Sequence, residues 1–243
     1  MRHLALHLGV AGLLVALAAA ASGAAPPPLQ PFASSGSAPL APWRVLGLPH
    51  QHKSFTRFTV TTLDGHQALR VEADSSYGLL VHTLHENPVP RYLSWLWRVD
   101  ELNPDVDLRR RSGEDSALKV CVLWDMAIDR VPFLERQILR VARATSDVPL
   151  PAASVCYVWD AHLPVGTQLD SPFTHRLRFI VLRSADDALH QWAAERRDIG
   201  ADFQALFGHE TSSLPALIGV AVGADADNTH GHSLGYAAQM VLE

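Results

Sequence analysis

The 243 residues carry 20 Lys and Arg against 25 Asp and Glu, a net charge of −5, with two cysteines. That mildly acidic balance gives no electrostatic footprint for nucleic acid. The length suits one sizeable β-rich domain behind an N-terminal signal.

In chain order, Arg2 and His3 make a short basic start, and Leu4 to Ala21 form an apolar run. The small residues of "AAAASGAA" then supply a cleavage site after Ala24, so residues 1–24 are expected to be a signal peptide. No Cys stands at the junction and no twin arginine precedes the run. The expected protein is periplasmic or secreted, with no membrane anchor after cleavage. Residues 25–42 are rich in Pro, Ser and Ala and read as a flexible leader that need not pack.

From Trp43 to Glu243 the texture is that of one domain. "FTRFTVTTL", "QALRVEA", "YGLLVHTL", "YLSWLWRV", "ALKVCVLW", "VCYVW", "HRLRFIVLR", "ALIGVAVG" and "GYAAQMVLE" are short, β-branched and often alternating. Asp64-Gly65 between two such runs signals a hairpin. Residues 133–144, "FLERQILRVARA", repeat apolar residues at helical intervals. Residues 192–208 place Ile199, Phe203 and Leu206 on one face and end in Gly208, a second helix whose start lies near Asp198 if Gly200 weakens it. Many short strands with one or two short helices predict a mainly-β fold, an antiparallel β-sandwich of jelly-roll or galactose-binding-like type.

Several groups invite chemistry. Cys121 and Cys156 sit in matching mid-strand contexts; an oxidising compartment would let them pair, and buried free thiols are the alternative. Closing that loop would stabilise by roughly 4 kcal/mol on chain entropy. Arg109 to Arg111 form the one basic cluster, read as a solvated loop before an anion site. Trp95 and Trp97 share a strand face; they are either core, the commoner use, or a stacking platform for a saccharide. Arg197 and Asp198 neighbour Asp202 at helical spacing, a structural ion pair unless they lie beside the Asp225 loop.

Glu114 and Asp115 are adjacent and face opposite ways on a strand, so they cannot pair as acid and base, though Asp115 could serve with a carboxylate from another strand. Ser116 and Lys119 spell S-x-x-K without its partner motifs. The densest cluster is Asp225, Asp227, Asn228, Thr229, His230 and His232. Alternating oxygen ligands would suit calcium at Asp225, Asp227 and Asn228, although the Gly and distant Glu of an EF-hand are missing. The plainer reading is a tight turn capped by its own Asp and Asn.

"WAAERRDIGADFQALFG" followed by "GVAVGADADNT", with "LSWLWRV", "GED" before "KVCVLW", and "VCYVW" upstream, resembles the bacterial exported family catalogued as domain of unknown function 3047. The resemblance spans about residues 43–243. It implies an exported single domain, with "DADNT" as a family feature. Where the family pattern carries two Asp and an Arg, this chain has Glu114-Asp115 and Lys119, so no guanidinium is available there. The expected function is a non-catalytic binding module for a saccharide or other envelope ligand. Asp115, Trp95, Trp97 and Arg197 are the candidate ligand contacts, and calcium is the candidate cofactor. The alternatives are an interaction protein without a small-molecule site, and a carboxylate hydrolase of envelope glycans.

Overall fold

Alternation of apolar and polar side chains turns successive residues to opposite faces of a sheet, and it builds two sheets here. The computed structural model describes residues 29–33, 37–48, 51–84, 89–144 and 150–243. The expected signal peptide over residues 1–24 lies outside the described residues.

The strands are β1 (Trp43–Leu46), β2 (Arg57–Leu63), β3 (His66–Asp74), β4 (Tyr77–Thr83), β5 (Tyr92–Glu101), β6 (Ser116–Asp125), β7 (Ala153–Trp159), β8 (Gln168–Asp170), β9 (Leu177–Arg183), β10 (Ala193–Asp198), β11 (Ala216–Asp225) and β12 (His232–Leu242). Helix α1 spans Phe133–Ala144 and α2 spans Ile199–Phe207. A seven-stranded sheet runs β1-β4-β11-β6-β7-β9-β8, and a five-stranded sheet runs β10-β5-β12-β3-β2. The fold is mainly β, as the sequence predicts. One strand pairing departs from the antiparallel expectation: β7 and β9 run parallel.

Aromatic side chains join the two inner faces. Trp95 stacks on Tyr157 at 5.3 Å between ring centres, and Trp97 meets Trp159 at 5.6 Å. The outer face of the larger sheet is also covered, where Leu108 and Leu163 from loops pack over Cys121, Cys156 and Phe179. Burial on both faces explains why β6 and β7 read as continuous apolar runs. The Asp64-Gly65 hairpin joins β2 to β3 with positive φ at both residues, 51° and 80°, which favours Gly at the second.

Three expectations change. Within the leader, Leu29, Phe32 and Ala33 are buried, Phe32 lies 4.8 Å from the Trp43 ring, and Trp43 Nε1 donates to the Gln30 carbonyl at 2.7 Å. Three apolar side chains and one hydrogen bond dock that segment without any periodicity. Residues 193–198 form β10 instead of a helical turn, with Ala193 paired to Trp97 and Asp198 to Tyr92. Their inward polar groups are matched, since Glu195 accepts from Trp97 Nε1 and Arg183 Nε. Asp198 then caps α2, accepting from the Ala201 N–H at 3.0 Å. The third change concerns α1: it occupies the expected residues but buries Leu139 alone, leaving Phe133, Leu134 and Ile138 exposed.

Candidate functional site

The ends of β11 and β6 bring the acidic motif together with Asp115. One oxygen from each of Asp115, Asp225 and Asp227 lies within 4.8 Å of the others, and all three residues are buried. Asp115 stands just before β6 and accepts four hydrogen bonds. Its Oδ1 takes the Asn228 N–H at 3.2 Å and Asn228 Nδ2 at 3.1 Å; its Oδ2 takes the Thr229 N–H at 2.8 Å and Thr229 Oγ1 at 2.6 Å. The turn over residues 227–230 is therefore capped by a carboxylate far away in sequence, where a self-capped turn was expected. Asp225 accepts the Ser116 N–H and Oγ, both at 2.8 Å, on one oxygen and Lys119 Nζ on the other. The S-x-x-K pair thus meets on Asp225. Asp227 Oδ2 accepts Lys53 Nζ at 2.7 Å.

Electrostatics explain this pairing. Burial disfavours the Lys119 ammonium, but the adjacent Asp225 charge outweighs it and holds the amine above the ordinary lysine range. Lys119 also lies 5.4 Å from the Tyr77 ring centre, and burial pushes that phenol up to about 12. Burial likewise raises the neighbouring Glu114 carboxyl to about 7, opposed by the Lys119 charge.

An all-oxygen cluster suits calcium in ligand type, but calcium needs about six to eight oxygens. Here Lys119 and Lys53 already supply the counter-charges, and Asn228 turns its Nδ2 donor toward Asp115 and the Glu114 carbonyl. Asn228 thus meets the cluster through its amide nitrogen, and Oδ1 is the atom through which the calcium role expected of it would have to act. Asp227 Oδ1 is the one carboxylate oxygen of the three residues that is buried without a hydrogen-bond partner among the described residues. A hydrolase would need its carboxyls in an open cleft with a substrate oxygen or water between them. Asp115 is fully buried and saturated by donors, so it has no lone pair to offer a reacting atom.

Other predicted residues fall elsewhere. Trp95 and Trp97 are 2% and 0% exposed, so neither can stack a sugar; the saccharide-platform reading is corrected to core. Arg197 pairs with Leu93 near the start of β5, whereas the carboxylate motif opens β12 opposite Glu101 at the end of β5. Eight residues of strand put them about 25 Å apart. Arg197 instead binds Asp202 through Nε at 3.0 Å and a terminal nitrogen at 2.6 Å, and Asp202 accepts the Tyr157 hydroxyl at 2.8 Å. Cys121 and Cys156 are register partners on β6 and β7 and form a disulfide. Asp107 binds both Arg109 and Arg110, at 2.8 and 2.6 Å, and these contacts hold its carboxyl well below the usual range. His232 contacts Glu101 at 3.1 Å, away from the three aspartates' hydrogen bonds.

At the opposite end, sequence reasoning missed a cavity of about 340 Å³ between α1 and the starts of β7 and β9. Ile138, Leu139, Leu150, Pro151 and Leu177 give it an apolar wall, with Glu135 and Arg176 at its polar margin. Arg176 is tied to Glu210 at 2.6 and 2.8 Å and to Glu135. The signal that could have found this cavity is the excess of apolar residues on α1 over what one buried stripe uses.

No curated protein matches the chain. A family model described as Protein of unknown function (DUF3047) matches residues 41–241, from the start of β1 through nearly all of β12, and the chain belongs to that family.

Proposed function

We propose that this protein is an exported, non-catalytic binding module of the cell envelope, and that its ligand is an apolar chain such as the acyl tail of a lipid. The observation that carries this reading is the α1 cavity. About 340 Å³ of open, mostly apolar space beside a few fixed polar groups is the usual anatomy of a small-molecule site. The Trp95 and Trp97 rings belong to the core, which removes the feature that favoured a saccharide. The carboxylates are committed to one another's neighbours, which favours a structural use for them over a catalytic one.

The test is titration with a fluorescent fatty acid. Saturable binding is expected for the native protein. Ala142→Phe, which fills the cavity from α1, should weaken it about tenfold or more while leaving the thermal midpoint unchanged. A native protein that never saturates, or an Ala142→Phe protein that binds as well as native, would remove this reading.

A further inference from the structure

A surface helix of a globular protein ordinarily turns its apolar stripe to the core. Helix α1 does the reverse. Leu134 and Ile138, one turn apart, are 75% and 69% exposed, and Phe133 beside them is 68% exposed. Polar contacts on the other side of the helix hold this orientation. Glu135 binds the buried Arg176, Arg136 donates to the carbonyls of Asp129 and Val131 at 2.9 and 3.0 Å, and Arg143 donates to the Leu150 carbonyl at 3.0 Å and Asp125 at 2.8 Å. The apolar stripe is therefore fixed outward by its anchors.

Charge says what would cover it. The whole chain has a net charge of −5, yet α1 holds Arg136, Arg140 and Arg143 against the single acid Glu135; Glu135 is spent on Arg176 and Arg143 on Asp125, so the helix keeps Arg136 and Arg140 beyond those pairs. Arg140 is exposed, as is Arg130 in the turn just before the helix. Bulky apolar side chains bordered by arginines are the pattern of a helix lying in the headgroup layer of an anionic bilayer. A second copy of the chain would bring the same arginines face to face across a two-fold axis, which like-charge repulsion opposes.

We propose that α1 docks flat on an anionic phospholipid surface, with Phe133, Leu134 and Ile138 entering the acyl boundary and Arg140 facing the phosphates. The contact is peripheral: no helix among the described residues is long and apolar enough to cross a membrane. It is also reversible, because a few side chains bury far less than a lipid anchor does. The docking surface shares only Ile138 with the adjoining cavity, since Phe133 and Leu134 are not among its walls, and the substitutions that test it are placed outside the cavity.

Co-sedimentation with vesicles tests it. The native protein is expected to pellet with phosphatidylglycerol-containing vesicles, and about tenfold less with pure phosphatidylcholine or at high salt. Phe133→Glu with Leu134→Glu should abolish pelleting, and Arg140→Glu should weaken it several-fold. Both changes lie at exposed positions, so the thermal midpoint and the fatty-acid titration should stay native. Three outcomes overturn the proposal: a native protein that stays in the supernatant, pelleting that survives the double substitution, or a dimer that the double substitution dissociates while vesicles bind neither form. If fatty-acid binding fails while vesicle pelleting persists, the cavity reading falls and the docking surface stands.

Discussion

The two ends of the sandwich solve opposite problems. At one end, three buried aspartates each place an oxygen within 4.8 Å of the others, and all of their carboxylate oxygens but Asp227 Oδ1 are met by donors. At the other, apolar side chains that could have been buried are turned to solvent on α1, above a cavity of about 340 Å³. Buried charge is costly unless paired and hydrogen-bonded, so the first end is specified tightly. Exposed apolar surface forgoes the stabilisation of burial until a partner covers it, so the second end has its polar side anchored and its apolar side left for a partner. The contrast teaches where a ligand would go: toward the end with surface to offer, and away from the end whose groups are already spent.

The largest effect should come from breaking the pairing at the carboxylate end. Asp225→Ala leaves the Lys119 ammonium buried without its counter-charge and should cost about 3–5 kcal/mol in urea unfolding. Asp225→Leu combined with Lys119→Met should recover much of that loss, because no orphaned charge remains. A single substitution costing under about 1 kcal/mol would mean that water reaches Lys119, and the contrast between the ends would fail. At the helix end, Leu139→Ala removes the one buried side chain of α1 and should cost about 2 kcal/mol. That loss is expected as faster amide exchange confined to α1, with β6 and β7 unchanged.

A third effect is a slope in pH. Burial raises Glu114 from 4.5 to about 7 in the folded chain, so between those values the folded state binds the extra proton. Its contribution to stability is full below pH 4.5 and is lost as pH rises toward 7. Glu114→Gln should flatten this part of the stability profile relative to the native protein. Parallel native and variant profiles across that window would show that Glu114 is solvated.

The sandwich was legible from alternation, and α1 from its apolar spacing, because both are local periodicities that burial enforces. The start of α2 near Asp198 was legible from Gly200, which weakens a longer helix; β10 before it was not. Its Glu195 and Arg197 point inward; Glu195 is met there by Trp97 and Arg183 from other strands, while Arg197 keeps the nearby Asp202. The same holds for the carboxylate centre. The sequence marks Asp225 to Asn228 as unusual, and a turn was the favoured reading. That the turn is held by Asp115, and that Ser116 and Lys119 close on Asp225, depends on the register of β6 against β11. Helix α1 shows the converse limit: periodicity finds an apolar stripe but is silent on which way it faces.

The Cys121–Cys156 bond closes a covalent ring that contains all of α1, since the helix lies between the two bonded residues. The ring is pinned where β6 and β7 are direct partners in the middle of the larger sheet. Lifting α1 from its few anchors therefore cannot unzip the strands that carry it. Any opening of α1, as amide exchange in Leu139→Ala would report it, is therefore expected to stay local while the sandwich keeps its register.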